Sequence, residues 1–221
     1  MRGAHGEKLV AALDSDKLPE SDKPRIEAAI GRYDNWVKDL DNPRERILSN
    51  RINEMVDHLN SYKNYVDINL IFDSENDFLY RQKGQLKLDN TIVEEFLPIL
   101  VRKCFEVTVG EVGLDIGPQV PTFSSAYFVS SIGNPQIGGG LTIRSKDQDF
   151  SVSRQLYIQA SYDPSFPDEG TMTVSTNIGY ILAELKTNLD KTMFQEASAT
   201  ARELSLLWQV QNTISYAISS I

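Results

Sequence analysis

The chain has 221 residues, of which 41% are hydrophobic and 24% are charged, and its formal net charge is −9. This composition is typical of a folded protein, and the length suits one domain or a core with a smaller subdomain. The negative charge argues against a general nucleic-acid coat protein, whose affinity depends on neutralising phosphates. It does not exclude a nuclease, which combines a local basic cleft with carboxylates that hold a metal.

The single cysteine, Cys104, excludes an internal disulfide, which fits a reducing compartment. No stretch approaches the roughly 20 apolar residues of a membrane span. The N-terminus also lacks the long apolar segment of a secretory signal. We therefore expect a cytoplasmic protein.

The first part of the chain is predicted to be helical. Apolar residues recur at three- and four-residue steps over 24–40 and 43–68. The polar segment 73–90 is predicted to be a loop. A further amphipathic helix is predicted over 90–109, where Pro98 should produce a kink or occupy an early first turn.

Beyond this helix the residue pattern changes, because β-branched residues begin to alternate with polar ones. Strands are predicted over 141–153, 155–163 and 171–188, with a turn rich in Pro and Gly over 164–170. The segment 189–207 is predicted to be a helix with a capping-box start, and the tail after it to add one more strand. The order indicates an α/β (α+β) core behind a helical N-terminal region.

One short motif ends the third predicted strand. Glu184 and Lys186 follow the apolar run Ile181–Ala183. Strand side chains alternate, so this carboxylate and this ammonium share a face. A chain with 31 acidic residues is expected to contain such a triplet by chance, and a cross-strand ion pair is the simple interpretation. Its position favours a site, because ligands of α/β sheets bind near strand ends.

A hard cation such as Mg²⁺ needs several oxygen ligands, of which the protein supplies few. Glu184 would supply one carboxylate, and Asp149 a second from the strand before the turn. Asp147 has the same parity and is a rival, and the backbone carbonyl of Leu185 is a possible third ligand. The metal would lower the pKa of a bound water and neutralise charge on a phosphodiester. Lys186 would orient or deprotonate that water, or stabilise the transition state.

Basic and polar side chains near these acids are predicted DNA contacts. Arg144 and Lys146 share a face of one predicted strand, beside Asp149, where they would hold phosphate. Lys191 and Asn188 lie just past the strand that carries Glu184. The simple alternative for Asp149 and for the basic residues is a solvated strand face.

Three segments resemble the PD-(D/E)xK nuclease superfamily and, more specifically, a subunit of the BbvCI-like type II restriction endonucleases. They are "ELKTNLDKTMFQEASATAREL" (184–204), "LTIRSKDQDF" (141–150) and "TIVEEFLPILVRK" (91–103). The resemblance implies a restriction-endonuclease-like mixed sheet flanked by helices. It divides the chain into a helical region over residues 1–88, for the subunit interface or DNA reading, and a catalytic core over residues 89–221.

The resemblance also implies an activity and its residues. BbvCI-like enzymes have two subunits and cut a short asymmetric DNA site, one strand per subunit, so a heterodimer or a homodimer is expected. Asp149, rather than Asp147, takes the superfamily's Asp position, and Glu184 and Lys186 take the other two catalytic positions. Glu95, on the helix before the sheet, would be a further Mg²⁺ ligand, and the alternative is an exposed helix residue. The Pro-Asp pair that names the superfamily is absent.

The tail "SLLWQVQNTISYAISSI" (205–221) departs from the family pattern, which continues with a basic helix end and an aromatic-rich strand. A truncation or a reading-frame change near Ser205 would explain the departure. Two alternatives to an active nuclease therefore stay open. One is a catalytically inactive or truncated subunit that binds DNA or dimerises, and the other is an unrelated α/β protein with an accidental ion pair.

Overall fold

A computed structural model of the chain describes residues 2–74, 77–105, 113–118, 120–186, 195, 198, 216 and 217. These residues group into two compact units. The helical unit comprises 2–105 with 185, 186 and 217, and the strand unit comprises 113–184 with 195, 198 and 216. The functional division expected at residues 88 and 89 stays a prediction, whereas the compact units divide after residue 109.

The helical unit contains five α-helices in its described part. They are α1 (Ala4–Leu13), α2 (Lys23–Asp41), α3 (Leu48–Asn64), α4 (Phe78–Leu86) and α5 (Asn90–Cys104). A 3₁₀ turn (Glu20–Asp22) precedes α2, and a π-helical segment (Tyr65–Phe72) continues α3. The helix predicted over 24–40 is therefore confirmed, and the one predicted over 43–68 is confirmed from Leu48 onward, since residues 43–47 precede α3.

Apolar side chains at helical spacing form the core of this unit. Ile26, Leu40 and Met55 are fully buried. The rings of Trp36 and Tyr62 stack with their centroids 4.7 Å apart and an interplanar angle of 13°. Because α2 and α3 each present one apolar stripe, their packing buries both stripes and stabilises helices that would be marginal alone.

Helix α4 shows that the loop predicted over 73–90 is wrong. The segment is polar, but Leu79 and Leu88 are fully buried in the core. Their burial stabilises a short helix that local composition does not indicate.

Helix α5 begins eight residues before Pro98, which therefore lies inside the helix and not in an early first turn. The side chain of Asp89 accepts a hydrogen bond of 3.0 Å from the N–H of Asn90 at the helix start. The predicted end at residue 109 lies outside the described residues, and the last described helical residue is Cys104.

The strand unit is built from antiparallel pairs. Its strands are β1 (Asp115–Gly117), β2 (Thr122–Phe128), β3 (Leu141–Lys146), β4 (Phe150–Ala160) and β5 (Met172–Ala183). One sheet has the order β1-β4-β5, and β2 pairs with β3. Two further short strands, β6 (Leu185–Lys186) and β7 (Tyr216–Ala217), pair with each other.

The strand predicted over 141–153 is divided in the structure. β3 ends at Lys146 and β4 begins at Phe150, so residues 147–149 form a connection. This connection contains two aspartates, which are poor strand formers and favour turns. The strand predicted over 155–163 corresponds to β4 up to Ala160. The prediction over 171–188 is confirmed up to Lys186 as β5 and β6, and residues 187 and 188 lie outside the described residues.

The predicted α/β fold class with a helical N-terminal region is confirmed. The helix predicted over 189–207 lies outside the described residues, apart from helical backbone at 195 and 198. Within the described part of the chain, no helix has the length and apolar character needed to cross a membrane.

Candidate functional site

The pairing of β4 with β5 places two of the predicted site residues at the same end of one hairpin. Phe150 lies opposite Ala183 in this antiparallel register. Asp149 directly precedes Phe150, and Glu184 directly follows Ala183. When the same register is extended by one position, Asp149 lies opposite Glu184. Opposed side chains in an antiparallel pair are direct neighbours.

The residues next to this position are buried on both faces of the hairpin. Phe150, Val152, Leu182 and Ala183 are each no more than 9% exposed, and Ser151 between the first two is fully buried. Asp149 and Glu184 therefore adjoin the buried end of the hairpin.

The connection between β3 and β4 distinguishes the two rival aspartates. Asp147 is exposed, Gln148 is buried at 5% exposure, and Asp149 is half-buried, as is Glu184. Asp149 lies in the connection and not within a strand, which corrects the prediction that it belongs to a strand over 141–153. Its adjacency to Phe150 and its partial burial favour Asp149 over Asp147 as the partner of Glu184.

Leu185 and Lys186 form β6 immediately after Glu184. At Lys186 the structure describes the backbone alone. In the described residues, no group of three or more His, Cys, Asp or Glu side chains is arranged to hold a metal ion. Asp149 and Glu184, both in the strand unit, carry carboxylates, which are hard ligands of the kind that Mg²⁺ accepts in small number from a protein.

The structure gives Glu95 a different environment from the one predicted. It is 8% exposed, so the alternative of an exposed helix residue is wrong. Its Oε2 accepts hydrogen bonds from the N–H of His5 at 2.8 Å and of Gly6 at 3.4 Å, and its Oε1 accepts one from the Tyr33 hydroxyl at 2.6 Å. A metal role for Glu95 stays a prediction, but these three bonds account for its burial without a metal.

These contacts place the Glu95 carboxylate at the N-terminus of α1. The first N–H groups of a helix lack partners within the helix and carry a partial positive charge. Gly3, at the N-cap position, has no side chain to accept from them. A Cβ atom added at Gly3 would lie 2.4 Å from the carboxyl group of Glu95, so the close approach needs glycine there.

His5 belongs to the same buried network, which the spacing of the sequence did not indicate. Its Nδ1 lies 3.1 Å from Oγ1 of Thr91 and its Nε2 lies 2.9 Å from the hydroxyl of Tyr62. Burial lowers the pKa of His5 to about 3, so the ring is neutral. Burial, followed by the hydrogen bond to Glu95, raises the pKa of Tyr33. The only signal in the sequence was the placement of His5 between small residues, which is too common to be specific.

The predicted DNA contacts are described in part. Arg144 is exposed on β3, opposite Ser125 of β2. Lys146 is half-buried opposite Thr122, whose hydroxyl donates a 3.1 Å hydrogen bond to the Lys146 carbonyl. Arg144 and Lys146 lead directly into the connection that carries Asp149. Lys191 and Asn188 lie outside the described residues.

Comparison with known structures assigns the fold. The chain is similar to a chain of the structure described as "native BbvCI A2B2 tetramer at low resolution", with a TM-score of 0.50 and 15% sequence identity. The similarity covers 99% of this chain and 75% of that chain. The architecture is therefore that of the restriction endonuclease class.

The family follows from the sequence. The family model described as "Bpu10I restriction endonuclease" matches residues 85–212, which is more than half of the chain, and the protein belongs to this family. The matched range contains Asp149, Glu184 and Lys186. The resemblance to BbvCI-like type II restriction endonuclease subunits is confirmed. Among curated proteins, none matches the chain significantly.

Proposed function

We propose that this chain is the DNA-cleaving subunit of a Mg²⁺-dependent type II restriction endonuclease of the PD-(D/E)xK superfamily. It hydrolyses one strand of a short, specific and asymmetric DNA site. The observation that carries the proposal is the register of β4 and β5, in which Phe150 lies opposite Ala183 and brings Asp149 next to Glu184. Membership of a restriction endonuclease family supports the reaction class.

The residues at this end of the hairpin fit a magnesium ion by their chemistry. Asp149, directly before β4, and Glu184, directly after β5, would hold it, and the carbonyl of Leu185 would add a neutral oxygen. When bound, the ion would supply positive charge at the scissile phosphodiester and lower the pKa of a water.

Lys186 is the third proposed catalytic residue, with Asp149 and Glu184. Its ammonium would orient the attacking water toward phosphorus and stabilise the negative charge that develops on the phosphate oxygens. Arg144 and Lys146, on the strand that leads to Asp149, would hold neighbouring phosphates and fix the register of the DNA.

A second subunit is part of the proposal. The similar BbvCI structure is described as an A2B2 tetramer. One subunit that cuts one strand needs a partner for the other strand, and either a related chain or a second copy would serve.

Nicking of supercoiled plasmid tests the proposal. The full chain, alone and with a partner subunit, is incubated with the plasmid and Mg²⁺. We expect Asp149→Asn, Glu184→Gln and Lys186→Ala each to lower the cleavage rate by at least about 100-fold. Asp147→Asn, two residues from Asp149, is the matched control and should keep the wild-type rate.

Cleavage that survives in Asp149→Asn or Lys186→Ala would contradict the assignment of the site. DNA binding without nicking in any combination would instead indicate a catalytically inactive, DNA-binding subunit.

A further inference from the structure

Beyond the proposed metal site, β4 and β5 continue as a two-stranded ribbon. β1 pairs with β4 only at Ser151–Ser153. In the described part of the chain, the segment Arg154–Ala160 is therefore paired with Met172–Ile178 alone. Strands β2 and β3 contact β5, and Gly138 of the loop between them lies against Ala160 and Met172, so the ribbon is covered on one side.

One face of this ribbon carries only uncharged side chains that form hydrogen bonds, and we call it the polar face. It consists of three opposed pairs, Gln155 with Asn177, Tyr157 with Ser175, and Gln159 with Thr173. Their alternate positions put all six on one side of the ribbon. All are exposed except Asn177, which is half-buried.

Neighbouring groups hold several of these side chains in place. The Tyr157 hydroxyl donates to Oε1 of Gln155 at 3.1 Å, and the Asn177 amide donates to the Pro121 carbonyl at 3.1 Å. Nε2 of Gln159 donates to the Thr173 hydroxyl at 3.3 Å. Side chains oriented before binding lose less entropy when a ligand arrives.

The Gln155 end of the polar face borders a cleft of about 300 Å³. Ile143 and Ser145 of β3 line its other side. Thr176 also lines this cleft, but it is 7% exposed and stands between Ser175 and Asn177, so it belongs to the opposite face of the ribbon.

The charges on these strands favour a phosphate-bearing ligand. Strands β2–β5 contain no acidic residue and carry Arg144, Lys146 and Arg154, in a chain whose net charge is −9. Negative charge next to these strands lies at Asp115 of β1, in the connection that carries Asp149, at Glu184, and in the turn between β4 and β5. The polar face itself would not repel a DNA backbone.

We infer that the polar face reads base edges in the major groove of the DNA that the chain cleaves, with Gln155 and Asn177 as the principal base contacts. This inference rests on the proposed function. The major groove admits a two-stranded ribbon, side-chain amides pair with adenine through two hydrogen bonds, and hydroxyls pair with several bases. A protein partner would instead favour a face rich in aromatic residues, of which this one has only Tyr157.

The distance along β4 agrees with such a role. Gln155 lies six positions after Asp149. At about 3.3 Å per strand residue this is about 20 Å, and at about 3.4 Å per base pair it corresponds to about six base pairs. The polar face would therefore contact bases within a short site that contains the scissile bond.

Sequence preference and salt dependence together test the inference. The full chain, with its partner subunit where one is needed for binding, selects from a randomised duplex library without Mg²⁺. The preferred and a scrambled duplex are then titrated at several salt concentrations. The variants are Gln155→Thr and Asn177→Thr, which remove an amide but keep strand propensity. Gln85→Thr, at an exposed glutamine of α4, is the matched control.

We expect each amide variant to reduce the ratio of preferred to scrambled affinity by about 5- to 150-fold, the discrimination that one good base contact provides. The slope of log affinity against log salt should stay unchanged, because no phosphate contact is lost. Arg154→Gln should give the opposite pattern, an equal loss on both duplexes and a slope smaller by about one.

Two results would overturn base reading by the polar face while leaving the proposed function intact. One is a wild-type ratio of preferred to scrambled affinity in both amide variants. The other is an equal loss of affinity on both duplexes, with a reduced slope of log affinity against log salt. Loss of partner binding with a wild-type ratio would show a protein interface and would also overturn it. A wild-type protein that neither binds nor nicks DNA in any combination would contradict the proposed function itself.

Discussion

The hydroxyl of Tyr33 donates a hydrogen bond of 2.6 Å to Oε1 of Glu95, inside the helical unit. The same hydroxyl accepts from the N–H of Gly3, so one tyrosine and one glutamate join α2, α5 and the start of α1. A carboxylate that was predicted to approach a metal thus anchors the N-terminal helix.

Removal of the Tyr33 hydroxyl should destabilise the protein without changing the chemistry of DNA cleavage. Tyr33→Phe leaves a buried carboxylate oxygen without its donor, which should lower the free energy of unfolding by about 1–3 kcal/mol. Urea denaturation measures the change. Tyr80→Phe, at a tyrosine that is 48% exposed, is the control and should stay close to wild type. Equal stability of Tyr33→Phe and wild type would show that the bond contributes nothing.

The buried imidazole of His5 should make stability depend on pH. Its pKa is about 3 in the folded state against 6.5 as the ordinary value. Between these values the unfolded chain binds more protons, so the stabilisation is complete above pH 6.5 and is lost as the pH falls toward 3. The loss should approach about 1.4 kcal/mol per pH unit. Urea titrations from neutral to acid pH give the free energy of unfolding at each pH. Its decrease with falling pH should be smaller for His5→Gln than for wild type, and an identical decrease would refute the role of His5.

The magnesium affinity of variants should distinguish the proposed ligands Asp149 and Glu184 from Glu95. We expect Asp149→Asn and Glu184→Gln to weaken Mg²⁺ binding by at least about 10- to 100-fold, the loss that even outer partners of a metal site produce. Isothermal titration calorimetry of the DNA complex measures the affinity. Glu95→Gln should keep the wild-type affinity, provided that the variant remains folded at the assay temperature. A similar loss of Mg²⁺ affinity in Glu95→Gln would show that Glu95 is a metal ligand.

The loop between β2 and β3 offers a prediction about backbone conformation. Gly138 has a φ of +57°, and a Cβ atom there would lie 2.5 Å from the Ala160 carbonyl oxygen. Gly138→Ala should therefore cost at least about 1–2 kcal/mol, the usual penalty of a left-handed residue. Gly133, where an added Cβ meets nothing within 4 Å, supplies the control as Gly133→Ala. A thermal shift assay compares the two, and equal melting temperatures would contradict this account.

Arg51 is predicted to act as a structural bridge. Its guanidinium donates to the carbonyls of Glu45 and Lys103 at 3.0 Å and to that of Arg46 at 3.3 Å. Arg51→Lys keeps the charge but loses the planar fork, so several carbonyls lose their donor together. We expect a loss of about 1–3 kcal/mol in urea denaturation. Retention of full stability in Arg51→Lys would show that charge alone suffices.

The elements that the sequence predicted well are those whose apolar pattern is periodic over many residues. Helix α2 is of this kind, because it buries one regular apolar stripe. The division at residues 147–149 was missed although its aspartates are turn formers, since the flanking β-branched residues suggested a continuous strand. Helix α4 was missed because its stability comes from burial of Leu79 in a core built by distant segments.

The sequence by itself determined the family and with it the nuclease class, because three of its segments resemble one family of nucleases. It predicted Asp149, Glu184 and Lys186 as the site. Only the tertiary structure decided which acids become neighbours. Asp149 and Glu184 are 35 positions apart in the chain, and the antiparallel register of β4 and β5 sets them at one end of a hairpin. Glu95 had the residue type and position of a ligand, but hydrogen bonds from His5, Gly6 and Tyr33 engage its carboxylate. Those partners lie far away in sequence, so no local pattern could reveal them.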